Sequence, residues 1–134
     1  MMVTILMSIQ KQHVDDIKSG RKKSELRLRA PVQKPPYRVI VYEPNTGGGC
    51  GKVVLEFVCY LEHLHYGFDY DVGRVIDRAC IRRGFLRRYL RYNECRPFTE
   101  MFIGDLVTYD TPRDRSEYGV KRAPQSWQYL KEEW

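Results

Sequence analysis

Residues Ser19–Arg29 read SGRKKSELRLR, and this stretch joins the end of a short helix to a charged strand. From Lys23 onward the charged residues alternate with serine or leucine, which is the two-residue period of a β-strand. The alternation places Glu25 and Arg27 on one strand face, with Lys22 at the preceding turn. A strand of this kind either is a charged edge strand that faces solvent or forms the wall of a cleft.

The composition predicts one basic globular domain. The chain has 134 residues, of which 43% are hydrophobic and 30% are charged, and its net charge is +6. This charge favours an acidic partner, most commonly nucleic acid, although many basic proteins bind none. No apolar run has the length of a membrane span, and the first residues lack the pattern of a signal peptide. We therefore expect a cytoplasmic monomer without a membrane segment.

Cysteine and histidine spacing does not predict a metal site. In the cytoplasm the four cysteines should be reduced, and no two of them have the Cys-x-x-Cys spacing of a structural zinc site. His63 and His65 would share one strand face, but no third ligand lies at a suitable distance. We predict neither a metal nor a cofactor. The cysteines are Cys50, Cys59, Cys80 and Cys95.

The residues before the charged stretch predict a strand and a helix. Val3–Ile9 is a short apolar run typical of a buried strand. Gln10–Ser19 has the period of a helix, with Val14 and Ile17 as its apolar stripe. Gly20 is placed to end this helix.

Two strong strand signals follow the charged stretch. Tyr37–Tyr42 and Lys52–Leu61 are rich in β-branched and aromatic residues. The glycine-rich segment Asn45–Gly51 lies between them and precedes a lysine. A phosphate-binding P-loop requires glycine where Thr46 stands and serine or threonine where Val53 stands, so we interpret the segment as a flexible turn.

Residues Asp71–Arg91 predict helix, interrupted at Gly84, and carry many arginines. Only Asp71 and Asp77 balance their charge within the segment. The arginines form either a solvated helix face or a surface that contacts phosphates. The nucleic-acid contacts that we predict are Arg74, Arg78, Arg82 and Arg87.

The last third of the chain predicts further strands. Phe102–Tyr109 has a strand pattern with a glycine kink, Thr111–Gly119 is turn-forming, and Lys121–Tyr129 ends with Trp127 and Tyr129 in strand alternation. The element order predicts a mixed α+β domain with an N-terminal helix and a helical insertion. Five or six strands in a chain of this size favour a small, closed or nearly closed β-barrel.

The charged stretch resembles the ASCH domain, a branch of the PUA-like superfamily. The family pattern of an apolar strand, a helix ending in Gly-x-Lys and then x-x-Glu-x-Arg matches at Gly20, Lys22, Glu25 and Arg27. The ending KRAPQSWQYL is similar to that of small stand-alone ASCH proteins of bacteria and their phages. The resemblance covers essentially all of residues 1–134 as a single domain. It implies a small PUA-like barrel whose cleft carries the motif and binds RNA or a modified nucleoside.

The resemblance also raises the question of catalysis. One bacterial branch of the family hydrolyses N4-acetylcytidine with a lysine, a threonine and a glutamate, and another has been described as a ribonuclease. The lysine matches Lys22, but Glu25 stands where the threonine is expected. Ser24 is one position away and would therefore lie on the opposite strand face. The complete amidohydrolase triad is therefore not carried over to this chain.

The motif residues have a chemistry of their own. Lys22 and Arg27 flank the Glu25 carboxylate, so the site is cationic overall and suits a phosphate or a carbonyl oxygen. Glu25 is either a general base, a hydrogen-bond acceptor for a base, or only part of a stabilising ion-pair network. The strand after Ser126 should close against an early strand, which would bring this serine to the same cleft. Its alternative role is that of a turn-capping hydroxyl.

Two functions remain open from the sequence. For either function we expect Lys22 to be exposed and to contribute little to stability. In the first, the cleft binds RNA or a modified nucleotide without catalysis. In the second, a hydrolase acts on RNA or modified nucleosides with Lys22 and either Glu25 or Ser126. Gln125 suits a base edge, whereas Tyr42 and Trp127 are stacking surfaces or core residues. The predicted ligand-binding residues are Arg27, Tyr42, Gln125 and Trp127.

Overall fold

The computed structural model describes residues 2–66, 71–92 and 97–131. Its strands are β1 (Thr4–Ser8), β2 (Ser24–Arg27), β3 (Tyr37–Glu43), β4 (Lys52–Cys59), β5 (Glu62–His65), β6 (Phe98–Phe102), β7 (Gly104–Arg113) and β8 (Trp127–Tyr129). Its α-helices are α1 (Lys11–Lys18), α2 (Val72–Ala79) and α3 (Arg83–Tyr92), and a 3-10 helix spans Arg115–Tyr118. The predicted mixed α+β class is confirmed. No described helix combines the length and the apolar character needed to cross a membrane.

The larger sheet has five strands in the order β7-β4-β3-β1-β8. β1 runs parallel to β3, and the other neighbouring pairs are antiparallel. The apolar stripe of α1, Val14 and Ile17, packs into the same core cluster as Ile5, Val39 and Phe57 from β1, β3 and β4. Burial of these branched and aromatic side chains holds the helix on one face of the sheet.

The smaller sheet has three antiparallel strands in the order β2-β6-β5. Opposite β2, the register pairs Glu25 with Met101 and Leu26 with Glu100. A separate core cluster joins Leu26 to Val75 of α2 and other apolar side chains. The helical insertion therefore packs against the charged strand.

The described strands form two separate sheets and do not close into a barrel, so the predicted barrel is not confirmed. β2 pairs with β6, and β7 and β8 remain at opposite edges of the larger sheet. Taking the described strands in order, the chain passes between the two sheets four times, from β1 to β2, from β2 to β3, from β4 to β5 and from β6 to β7. No ladder joins the two sheets among the described strands.

Several predicted boundaries agree with the structure, and two are wrong. The first helix lies within one residue of Gln10–Ser19 at each end, and Gly20 follows it with φ +82°. The break in the arginine-rich segment lies at Cys80 and not at Gly84, because Cys80 adopts the left-handed conformation and donates its N–H to the Ile76 carbonyl. The other error is in residues 98–113, which form two strands where one was expected.

Candidate functional site

A cavity of about 740 Å³ opens where the ends of β1 and β3 meet β2 and the segment before β8. We call it the first cavity. Six of the catalytic and ligand-binding residues predicted from the sequence line this cavity. These residues are Lys22, Glu25, Arg27, Tyr42, Gln125 and Ser126.

The turn after α1 places Lys22 at the base of the first cavity. The Lys22 N–H donates to the Asp16 carbonyl at 3.0 Å, and the Lys23 N–H donates to the Arg78 carbonyl at 2.6 Å. The Lys22 ammonium donates to the Ala79 carbonyl at 2.5 Å, at the end of α2. Only 2% of Lys22 is exposed, so the prediction of a solvent-exposed lysine is wrong. The helical insertion covers Lys22. The spacing of residues in the sequence does not predict where this insertion packs.

Glu25 lies between two cations. Its Oε1 is 3.0 Å from the Lys22 ammonium, and its Oε2 accepts from Arg27 Nε at 3.1 Å and from an Arg27 terminal nitrogen at 2.5 Å. Burial by itself raises the pKa of Glu25, but the charges of Arg27 and Lys22 outweigh burial and hold this pKa below its usual value. The carboxylate is therefore ionised at neutral pH.

Arg27 connects Glu25 to the C-terminal segment. Its guanidinium donates to the Ser8 carbonyl at 2.9 Å and to Ser126 Oγ at 3.0 Å. Ser126 follows Arg27 by 99 positions in the chain. Ser8 holds the same segment, because its N–H donates to the Ser126 carbonyl at 2.9 Å and its hydroxyl donates to the Pro124 carbonyl at 2.7 Å. β8 pairs with β1 directly beyond this point, as the sequence predicts for the closing strand. Lys22, Glu25, Arg27 and Ser126 form what we call the Glu25 network.

The Glu25 network leaves a cationic surface for a ligand. Two cations surround one carboxylate, and Arg29 adds a further positive charge to the cavity lining. In the described part of the chain, Arg27 uses four of its five N–H donors on Glu25, Ser8 and Ser126. The fifth donor remains for an oxygen of a bound molecule, and an anionic oxygen makes the stronger hydrogen bond.

The described contacts of Ser126 and Lys22 do not include those that activate a nucleophile. Ser126 Oγ accepts from Arg27, and no histidine or carboxylate of the described residues is hydrogen-bonded to it. Lys22 donates to the Ala79 carbonyl and pairs with Glu25, so both of these contacts use it as a donor. A serine nucleophile needs a neighbouring base, and an amine base needs an available lone pair.

The aromatic and amide residues differ in access. Gln125 is exposed at the cavity rim, whereas Tyr42 is 5% exposed and its hydroxyl accepts from Arg115 at 3.0 Å. Trp127 is 3% exposed and belongs to the core, and it is not among the described residues that line the first cavity. Arg29 covers the Trp127 ring at 3.9 Å. This placement favours the core role for Trp127 over the stacking role.

The predicted phosphate-contacting arginines lie in different environments. Arg74 and Arg82 are exposed on and after α2. Arg78 donates from two nitrogens to the Glu100 carboxylate at 2.8 Å each, so its guanidinium is already paired with an anion. The side chain of Arg87 lies outside the described residues.

Sequence reasoning missed Glu100, which has no exposed surface. Besides Arg78, its carboxylate contacts Ser24 Oγ at 2.6 Å and His65 Nε2 at 2.9 Å. Burial raises its pKa, but the hydrogen bonds from Arg78, Ser24 and His65 outweigh burial and hold this pKa below the usual value. The signal in the sequence was a single carboxylate inside the strand FTEMF. We call Glu100, Ser24, His65 and Arg78 the Glu100 network.

His13 and Phe85 also line the first cavity and were not predicted as site residues. Burial lowers the pKa of His13, and the nearby Lys22 charge lowers it further, so the ring is neutral at pH 7. The rings of His63 and His65 stack at 4.4 Å, as their shared strand face requires. Among the residues that the structure describes, no group of three or more histidine, cysteine or acidic side chains is arranged to hold a metal.

Comparisons with known proteins identify the fold. No protein-family model and no curated protein matches the chain. Crystal structures of ASCH from Zymomonas mobilis do match. One has a TM-score of 0.75 at 17% identity and covers 97% of this chain and 89% of its own. Structures of a serine-to-alanine and a tyrosine-to-phenylalanine variant of that protein also match, each with a TM-score of 0.73 at 16% identity. Both cover 96% of this chain, and they are covered over 89% and 91% of their own length, respectively. The chain therefore has the fold of an ASCH domain, as the motif from Gly20 to Arg27 predicts.

Proposed function

We propose that the first cavity binds a nucleotide unit, either free or within RNA. The observation that carries this proposal is the Glu25 network, in which Arg27 keeps one N–H donor for a ligand at the base of a cationic cavity. A phosphate or a carbonyl oxygen of a base is the group that such a donor and charge favour.

The size and lining of the first cavity support a ligand with both charged and apolar parts. Its volume of about 740 Å³ lies within the range of roughly 300–1,000 Å³ typical of small-molecule sites. Exposed amide groups of Gln125 and Asn45 at the rim can donate to and accept from a base edge. The half-exposed ring of Phe85 supplies an aromatic surface. Together these groups match a phosphate, a sugar and a base.

The experiment that tests this proposal is calorimetric titration of the purified protein with nucleoside monophosphates and with a short single-stranded RNA. Arg27→Gln should weaken binding about 10- to 100-fold, because hydrogen bonds to charged groups contribute about 1.5–3 kcal/mol. Lys34→Gln removes one positive charge from an exposed loop position and is the matched control. It should leave the affinity within twofold of wild type.

The outcome also separates binding from hydrolysis. Each titrated sample is analysed by chromatography for cleaved RNA, and N4-acetylcytidine is incubated in parallel without added metal. Intact ligands together with Arg27-dependent binding support a binding module. Turnover that disappears in Ser126→Ala would instead establish the hydrolase alternative, and a lack of binding by every nucleotide and RNA would overturn the proposal.

A further inference from the structure

A second cavity, of about 570 Å³, adjoins the first. His13, Ile81 and Phe85 line both cavities, so these three side chains form a shared wall. Each volume by itself lies within the roughly 300–1,000 Å³ of a site for one small ligand. A mononucleotide in the first cavity therefore leaves the second cavity without an occupant.

The two cavities differ in charge. The first has the cations Lys22, Arg27 and Arg29 in its lining against the single carboxylate of Glu25. In the second, the described charged side chains are one cation and one anion, Arg82 and Asp77, and the His13 ring of the shared wall is neutral. A phosphate is therefore attracted to the first cavity, whereas the second suits an uncharged group.

The lining of the second cavity has the chemistry of a nucleobase site. Phe85 is 49% exposed at the shared wall, and unpaired bases stack on aromatic rings. The Asp77 carboxylate accepts from an exocyclic amine, and the Gln12 amide both donates and accepts. The exposed Arg82 guanidinium lines this cavity, where it would meet the phosphate that joins the second base to the nucleoside of the first cavity.

We infer that the two cavities together bind two consecutive nucleotides of one single-stranded RNA segment. The first cavity holds a phosphate and its nucleoside, and the second holds the neighbouring base against Phe85. The strand must be single because a base that stacks on a side chain is unpaired. This inference rests on the nucleotide binding proposed above and adds the length and the strandedness of the ligand.

Calorimetric titration of the full chain with adenosine 5′-monophosphate and with the 5′-phosphorylated dinucleotide pApA tests the inference. One stacked base adds about 1–3 kcal/mol, so pApA should bind about 5- to 150-fold more tightly. Arg82→Gln, which changes only the second cavity, should weaken pApA binding and leave monophosphate binding within twofold. Arg88→Gln is the matched control, because Arg88 is exposed on α3 and lines neither cavity.

Phe85→Ala gives a second measurement. Because Phe85 lines both cavities, this variant should weaken the binding of both ligands and should also remove most of the advantage of pApA over the monophosphate. Thermal melting shows whether the variant remains folded. If the monophosphate binds and pApA binds no more tightly, or if neither Arg82→Gln nor Phe85→Ala reduces that advantage, the inference is overturned and nucleotide binding stands. If neither ligand binds, nucleotide binding itself fails, and the inference fails with it.

Discussion

Two buried carboxylates lie close together in the smaller sheet, yet their surroundings differ. Glu25 of β2 lines a cavity, and its partner Arg27 has one N–H donor that none of its described contacts uses. Glu100 of β6 has no exposed surface and accepts from Arg78, Ser24 and His65. The two networks start from successive residues of β2, because Ser24 and Glu25 point to opposite faces of the strand.

The direction of the pKa shift does not distinguish the two carboxylates. The pKa values of Glu25 and Glu100 are both lowered, and both groups are surrounded by donors. Among the described residues, those of the Glu25 network line the first cavity, whereas none of the Glu100 network lines the first or the second. The difference between the two networks is therefore access to a cavity, and not burial or charge pairing.

The largest effect should come from Glu100→Gln. Loss of the carboxylate leaves Arg78 without its anion, and breaking a fully buried ion pair costs about 3–5 kcal/mol of unfolding free energy. Because the Arg78 side chain is 33% exposed, solvent screens part of this cost, and we expect a loss of about 3 kcal/mol. Urea denaturation measures this loss, and nucleotide affinity of the folded fraction should be unchanged. Asp114→Asn, in an exposed pair with Lys52, is the control and should not shift the midpoint detectably. A Glu100→Gln protein of normal stability that no longer binds nucleotide would reverse the roles assigned to the two networks.

Lys22→Met should affect both stability and binding. Lys22 is buried and donates to Ala79, so its replacement leaves an unpaired carbonyl and should cost about 1–3 kcal/mol in unfolding free energy. It also removes a positive charge from the first cavity, and nucleotide affinity should fall with it. Chemical denaturation and calorimetry measure the two effects on one sample. Unchanged stability would contradict the buried position of this lysine.

Acid should destabilise the protein through both networks. The pKa values of Glu25 and Glu100 are lower in the folded protein than in the unfolded chain, so their stabilisation is complete above about pH 4.3 and is lost as the pH falls toward the folded values. Each such group contributes at most about 1.4 kcal/mol per pH unit to the slope of the unfolding free energy against pH. Glu25→Gln and Glu100→Gln should each make the stability profile between pH 4.3 and pH 2 less steep. Profiles parallel to wild type would show that neither carboxylate has a lowered pKa.

The smallest expected effect concerns salt. Arg74→Gln and Arg82→Gln should each reduce the slope of log affinity against log salt for single-stranded RNA by about 0.7, the value for one phosphate contact. Arg78→Gln should leave that slope unchanged, because the Arg78 guanidinium is already hydrogen-bonded to the Glu100 carboxylate. Filter binding at several salt concentrations measures all three variants. An equal reduction of the slope for Arg78→Gln would show that Arg78 leaves the Glu100 carboxylate and contacts an RNA phosphate.

The sequence by itself determined the local parts of the site. The two-residue period of a strand places Glu25 and Arg27 on one face, and Gly20, with φ +82°, ends the helix that precedes them. The β-branched run in β3 and the apolar stripe of α1 likewise depend on neighbours within a few residues. Local spacing is sufficient for these features because each involves one element and its immediate turn.

Only the tertiary structure decided which distant groups meet the motif. It brings the hydroxyl of Ser126 and the carbonyls of Ser8 and Ala79 to the motif cations, and it buries Lys22. It also places Glu100 of β6 within hydrogen-bonding distance of Ser24 of β2. It also divides the strands between two sheets where a barrel was expected. The physical reason is that strand pairing and burial depend on which surfaces exclude water together, and residues 99 positions apart leave no periodic signal of that contact.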